Sequence, residues 1–220
     1  MSKMITKYKY PRTFHLPFSL CISSDDKRLS DDEHFIGKTI VMTEKMDGEN
    51  TTVYPNNSCH ARSLDGYGKS WQTWMLKNVQ PWAYNLPETF RVCGECIYAR
   101  HSIGYNITDE QQYFQVFGIW DDQKCLSWID TVTWCYLLGL QTVPVIYHGV
   151  YDKERIMDIF KKYSENEKRE IEGFVIRLSD DFLFDDFSRS VAKYVRKDHV
   201  TTDEHWTKNW RKNEINSGTI

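Results

Sequence analysis

Apolar and polar residues change period repeatedly along this chain, and each change marks an element. Thr39-Ile40-Val41-Met42 opens the first strand pattern, and Thr51–Tyr54 and Ser58–Ser63 supply two more. From Lys69 to Val79 the spacing of Trp71, Trp74, Met75 and Val79 predicts a helix with one apolar face. Phe90–Ala99 and Gln112–Trp120 read as dense apolar strands. Ser127 is a suitable N-cap for a helix presenting Trp128, Val132, Cys135 and Tyr136, stopped near Gly139. Val143–Tyr147 follows as a strand, and Asp152 caps a second helix with Ile156, Ile159, Phe160 and Tyr163 inward. Gly173–Leu178 and Ser190–Arg196 are strands again.

Residues 1–36 read as irregular and proline-containing, and the polar tail from Thr202 as helical in part. Many short strands mixed with a few helices predict an α+β fold of antiparallel sheets flanked by helices. Neither a repeat nor a low-complexity tract nor a linker divides the 220 residues. The expected organisation is an N-terminal segment (1–36) packed on a single domain (37–200), with a C-terminal tail (201–220).

Composition narrows the class: 40% hydrophobic and 27% charged residues suit a globular chain able to bury its own core. No run approaches the ~18 apolar residues of a membrane span, and Met1–Pro11 lacks the apolar stretch of a signal peptide. Six cysteines follow no disulfide framework. Cys93-Gly94-Glu95-Cys96 has C-x-x-C form, but it lies in a strand pattern and no second ligand pair follows. Buried reduced thiols in a cytoplasmic, reducing setting are the expectation. The net charge of −3 argues against a general nucleic-acid coat. It is unevenly spread, with a local net of −4 over residues 151–186 and +4 over 189–212. The basic stretch is the one that could hold phosphates.

Candidate chemistry centres on Lys45-Met46-Asp47-Gly48, directly after the first strand. A lysine at a strand end, followed by a glycine turn, presents one amine into a cleft. It can act as a nucleophile only when its pKa, ordinarily ~10.4, is lowered by neighbouring cations or desolvation. Taken alone, the string is more commonly a surface turn. It is followed in order by His60-Ala61-Arg62-Ser63, Cys93-Gly94-Glu95-Cys96, Tyr113–Ile119, Glu172-Gly173-Phe174-Val175 and Val191–Lys197.

This ordered series, from Lys45 to Lys197, resembles the covalent nucleotidyltransferase superfamily of ATP-dependent ligases and mRNA capping enzymes. Tyr10–Pro17 and Lys193–Trp206 resemble RNA ligase family 5 more particularly. The resemblance implies a ligase adenylation domain in which Lys45 takes AMP from ATP as a phosphoramidate. AMP then passes to a 5′-phosphate, and a 3′-OH RNA end displaces it, at a nick. It further implies that Arg62 meets phosphate or ribose, Glu95 a ribose hydroxyl and Phe117 the adenine. Glu44 would orient the base through its backbone, Glu172 would hold Mg2+ (Mn2+ as an alternative), and Lys193 with Arg196 would stabilise the α-phosphate. The last motif departs from the K-x-K form, since the alternate position is Val195, which leaves Arg196 or Lys197 to serve. Too few residues follow Lys197 for an OB-fold domain, so the grip on a duplex is expected to be weak or borrowed from a protein partner. Two rival readings are a GTP-dependent capping-type guanylyltransferase and a non-catalytic module that binds nucleotide or RNA ends. His15, His101, His199 and His205 read as structural or substrate-contacting, and Asp47 as a turn former.

Overall fold

The computed structural model describes residues 5–22, 26–64, 67–197 and 210–216. Its elements run in the order β1 (Phe14–His15), β2 (Thr39–Glu44), β3 (Glu49–Val53), β4 (Cys59–Ala61), α1 (Thr73–Asn78), α2 (Gln80–Ala83), β5 (Phe90–Cys96) and β6 (Ala99–Arg100). Then come β7 (Phe114–Asp121), β8 (Lys124–Cys125), α3 (Trp128–Leu138), β9 (Gln141–Thr142), β10 (Val145–Val150) and α4 (Lys153–Asn166). β11 (Gly173–Leu178), β12 (Phe182–Leu183), α5 (Phe187–Ser190), β13 (Val191–Val195) and β14 (Arg211–Lys212) complete the order.

Two largely antiparallel sheets carry the fold. One has the order β1-β13-β11-β2-β10, and the other runs β12-β8-β7-β5-β3-β4, with β9 alongside β7. The continuous apolar run of β2 is explained by its place: it lies inside the first sheet and is buried from Ile40 to Glu44. Beneath that sheet, α4 inserts Ile156 and Phe160 against Met42, Ile176 and a stack of Phe174 on Tyr194, ring centroids 4.9 Å apart. The second sheet packs Val92, Val116 and Ile119 on Met75, Val79 and Cys135 from the helices. Arg177 of β11 ties the sheets together by donating to the Leu126 and Phe117 carbonyls, which belong to the second sheet and its edge.

The helix ends follow their residues. Ser127 Oγ accepts from the Asp130 amide and Gly139 closes α3 in the left-handed region at φ 67°. Asp152 caps α4 by accepting from the Arg155 amide. Several boundaries differ from those the sequence predicts. The helix expected over 69–79 is a 3-10 turn, Ser70–Gln72, running into the short α1, because Gln72 turns its side chain back onto Gly68 and Lys69. On α3 the buried positions are Trp128, Thr131 and Cys135, while Val132 and Tyr136 are exposed. Glu110–Tyr113 forms a 3-10 turn, so the strand expected from Gln112 begins at Phe114. The strand expected over 143–147 is shifted to β10, an edge strand with a bulge between Val145 and Tyr147. In the tail, expected to be helical in part from Thr202, Arg211 and Lys212 form β14, paired with β6, and residues 202–209 lie outside the described residues. The N-terminal segment, expected to be irregular, contributes β1, parallel to β13 with His15 beside Lys193.

Candidate active site

Lys45 leaves the end of β2 where the chain bridges to β11: its amide donates to the Gly173 carbonyl at 3.0 Å. Two glycines make this crossing tight. A Cβ at Gly48 would stand 2.6 Å from the Cys96 carbonyl oxygen, and one at Gly173 would collide with the Tyr194 carbonyl. The K-x-D-G and E-G motifs are thus packed against neighbouring strands, which fixes the backbone on either side of the amine.

The Lys45 ammonium is paired with the Glu172 carboxylate at 2.6 Å, and both side chains are largely withdrawn from solvent. Burial by itself would lower the lysine pKa. Glu172, by charge and hydrogen bond, and the more distant Glu95 and Asp47 more than offset it, so the net shift is upward. The sequence asks for a lowered pKa; the structure does the opposite, because the nearest charged neighbours of Lys45 are carboxylates. Glu95 is pushed up to about 8, first by burial and then by the charges of Glu172 and Asp47 working against Lys45.

The residues flanking Lys45 are held from outside the cavity. Glu44 is buried and gripped by Arg169, whose two terminal nitrogens donate at 2.7 Å, while the Tyr163 hydroxyl donates at 2.8 Å. Asp47 accepts from the Ser102 and Ile103 amides and the Ser102 hydroxyl, at 2.6–2.9 Å. Its own amide donates to the Tyr105 hydroxyl at 2.6 Å, and the Arg169 guanidinium lies over that ring. Tyr105 is in turn fixed by Asn213, which accepts from its amide.

A cavity of about 220 Å3 opens in front of Lys45. Glu44, Arg62, Glu95, Phe117 and Lys193 all line it together with Lys45. Phe117 is partly exposed and packs edge-on against Tyr10, with centroids 5.0 Å apart. Lys193 is paired with Asp26 at 2.8 Å. Arg196 is not part of the lining: its guanidinium turns to Glu170 at 3.1 Å. Lys197 is exposed. The positive charge beside Lys193 comes instead from Arg12 and Arg177, which line the same cavity.

Sequence reasoning missed Asp26, Arg169, Tyr105 and Asn213, which act through contacts between segments far apart in the chain. Arg12 and Tyr10 stood inside a noted string without a role. His15 is buried, hydrogen-bonded to Ser19 at 2.7 Å with Asp26 3.1 Å from its other ring nitrogen, and burial lowers its pKa. His101 faces Asp47 at 3.7 Å. His199 and His205 lie outside the described residues, as does the string from Asp198 to Trp206. Cys93 and Cys96 point into separate apolar clusters, and burial raises their pKa to about 11 and about 12. Among the described residues, no three metal-ligating side chains converge. None of their helices is long and apolar enough to cross a membrane.

A lysine that is paired with a carboxylate and lines a cavity between two largely antiparallel sheets together with Arg12, Arg62, Arg177 and Lys193 marks a nucleotidyltransferase domain of the ligase type. A family model described as RNA ligase matches residues 38–195, and the chain belongs to that family. Among solved structures, it is similar to an archaeal ATP-dependent RNA ligase (TM-score 0.59, 15% identity, 84% of this chain and 48% of that one). A putative ATP-dependent DNA ligase from Aquifex aeolicus is also similar (TM-score 0.56, 18% identity, 86% and 50%). So is a mutant RNA ligase of Naegleria gruberi with ATP and Mn (TM-score 0.51, 16% identity, 87% and 61%). The chain spans about half the length of the first two. No curated protein matches it.

Proposed function

We propose that the protein is an ATP-dependent RNA ligase that works through a lysyl-AMP intermediate at Lys45. The placement of the Lys45 amine in one cavity with Arg62, Glu95, Phe117 and Lys193 carries this reading. Family membership and the ATP-bound Naegleria relative support it.

In the first step the Lys45 amine, having lost its proton, attacks the α-phosphorus of ATP, and pyrophosphate leaves. A P–N bond is formed and a P–O bond broken. The intermediate is stable at neutral pH yet labile once its nitrogen is protonated. In the second step a 5′-phosphate oxygen displaces the lysine and gains AMP. In the third, a 3′-OH attacks that 5′-phosphorus, AMP leaves, and the hydroxyl proton passes to solvent. Phe117 offers a partly exposed ring for adenine, and Glu95 a group for a ribose hydroxyl. Arg62 and Lys193 stand where they can offset the charge of the phosphates as the five-coordinate transition state forms. Arg196 is assigned only an indirect part, through its pairing with Glu170.

The donor set fits a hard divalent cation. Glu172 and Glu95 bring two carboxyl groups to the site, and Glu95, whose pKa is raised first by burial and then by the charges of Glu172 and Asp47, would give up its proton to a bound cation. Two carboxylates without a closed protein cage suit a magnesium or manganese ion that takes its other oxygens from phosphates and water. Glu172 would be its foremost ligand, and such an ion would supply charge neutralisation for the triphosphate when bound.

The test is a panel of 5′-phosphorylated nicked duplexes with RNA or DNA on each side of the break, supplied with ATP or GTP. Sealing with ATP is expected, and it should slow severely when the terminal 3′-OH nucleotide is a deoxyribonucleotide. Equal sealing of both ends would remove the RNA preference, and activity with GTP alone would favour a capping-type transferase.

A further inference from the structure

Beyond the nucleotide cavity, the 97–106 segment that braces Asp47 also carries a compact basic groove. β6 and β14 pair so that Arg211 stands directly opposite Arg100, with Lys212 opposite Ala99. Like charges facing one another across a strand pair disfavour the pairing. Here nothing among the described residues neutralises them: neither Arg100 nor Arg211 has an ion-pair partner, and Lys212 meets Glu214 at 3.5 Å. Arg211 and Lys212 are exposed. Three bases against one acid leave an excess of positive charge along a groove of about 570 Å3, lined also by Gly104, Tyr105, Asn106 and Asn216.

The groove is shaped as well as charged. The Arg100 guanidinium lies flat against Gly104, where an added Cβ would come within 2.9 Å of its central carbon. Glycine leaves room for the fork there, and a side chain at 104 would push it aside. Beneath it, Asn213 is buried and fully engaged. It donates to the Tyr98 and Ile97 carbonyls, and its own carbonyl accepts from the Tyr113 hydroxyl. It thereby seats β14 beside β6 despite their shared charge. Tyr105 belongs to both places: it lines the groove, and its hydroxyl accepts the amide of Asp47, two residues from Lys45.

We propose that the β6–β14 groove binds the phosphodiester backbone of the RNA strand being joined, holding it beside the nucleophile loop. This deepens the ligase reading and rests on it. Regularly spaced phosphates are the anions that two facing guanidiniums and a lysine match, and an exposed groove of this size admits a chain. Asn216 donates to the Asn106 side-chain carbonyl, and the N–H groups this pair leaves over suit sugar and phosphate oxygens without base preference.

The test uses the full chain with Arg100→Gln/Arg211→Gln and, separately, Gly104→Ala. Binding of a 5′-phosphorylated nicked RNA duplex is followed by fluorescence anisotropy between 50 and 200 mM salt, and lysyl-AMP formation from ATP alone is measured in parallel. The double variant should bind RNA at least tenfold more weakly at low salt. The slope of log affinity against log salt should fall by ~1.5 in magnitude, as expected when two phosphate contacts are lost. Gly104→Ala, which displaces one guanidinium without removing charge, should weaken binding to a smaller degree. Lysyl-AMP formation should be unchanged in both. RNA affinity and salt slope equal to wild type in the double variant would overturn the groove, as would a wild-type protein whose RNA binding is insensitive to salt. Failure of the wild-type chain to form lysyl-AMP would overturn the ligase reading instead, and the anisotropy would still report on the groove.

Discussion

Lys45 is a charged group locked to Glu172, so the proposed mechanism first requires it to release its proton. Replacing Glu172 by Gln removes the nearest negative charge and the hydrogen bond that raise the lysine pKa. The pH midpoint of lysyl-AMP formation should fall when measured in single turnovers at saturating ATP and magnesium. At limiting magnesium the same variant should be slower than wild type. A midpoint that does not move would show that Glu172 does not set the charge state of Lys45. Glu95 makes the opposite demand on the fold. Its pKa is raised to about 8, so the folded protein holds that proton more tightly than the unfolded chain does. The cost is absent below the ordinary carboxylate pKa, grows as pH rises, and levels off above about 8. Glu95→Gln should therefore stabilise the protein by ~1–3 kcal/mol at pH 8 and scarcely at pH 4, while impairing nucleotide transfer. Thermal unfolding at the two pH values checks the sign.

The elements around the site differ in how openly the sequence declares them. β2, β11 and β13 were legible because they lie inside the first sheet, which gives them the dense apolar stretches Ile40-Val41-Met42, Phe174-Val175-Ile176 and Val191-Ala192 close to the motif residues Lys45, Glu172 and Lys193. The helices α3 and α4 were legible from Ser127, Gly139 and Asp152, residues whose caps are local. The α3 face was misjudged because Val132 and Tyr136 are apolar yet exposed, and only tertiary packing tells which side of a helix is covered. The support of the nucleophile loop was not legible at all. Arg169 and Glu44 meet across 125 positions, and Asn213 and Tyr105 across 108. No short-range pattern encodes such pairs, and the basic residue nearest in sequence to Lys193, Arg196, turned out to face away from the cavity. The Glu44–Arg169 pair gives a prediction at this scale. Arg169→Met leaves a buried carboxylate without its cation and should cost about 3 kcal/mol in urea unfolding. Adding Glu44→Gln should restore most of the loss. A single-variant loss under about 0.5 kcal/mol would place the pair among those exposed ion pairs that contribute little.

For the molecule as a whole, a modest net charge conceals a division of labour. Acidic residues gather over 151–186 and supply Glu172 and Arg169's neighbours, whereas the cations that face the cavity come from Arg12, Arg62, Arg177 and Lys193, in four separate segments. Composition could not reveal that convergence; two sheets tied together by Arg177 create it. The N-terminal segment joins them by laying β1 along β13, which brings Tyr10 to Phe117 and Asp26 to Lys193. The central claim is that this assembly makes Lys45 a carrier of AMP. Intact-mass spectrometry of the denatured protein after incubation with ATP and magnesium addresses it most directly. One added AMP is expected on the wild-type chain, mapped to Lys45 by peptide analysis, removed by excess pyrophosphate and absent from Lys45→Ala. A wild-type protein that never gains that mass, or a Lys45→Ala protein that still does, would contradict it.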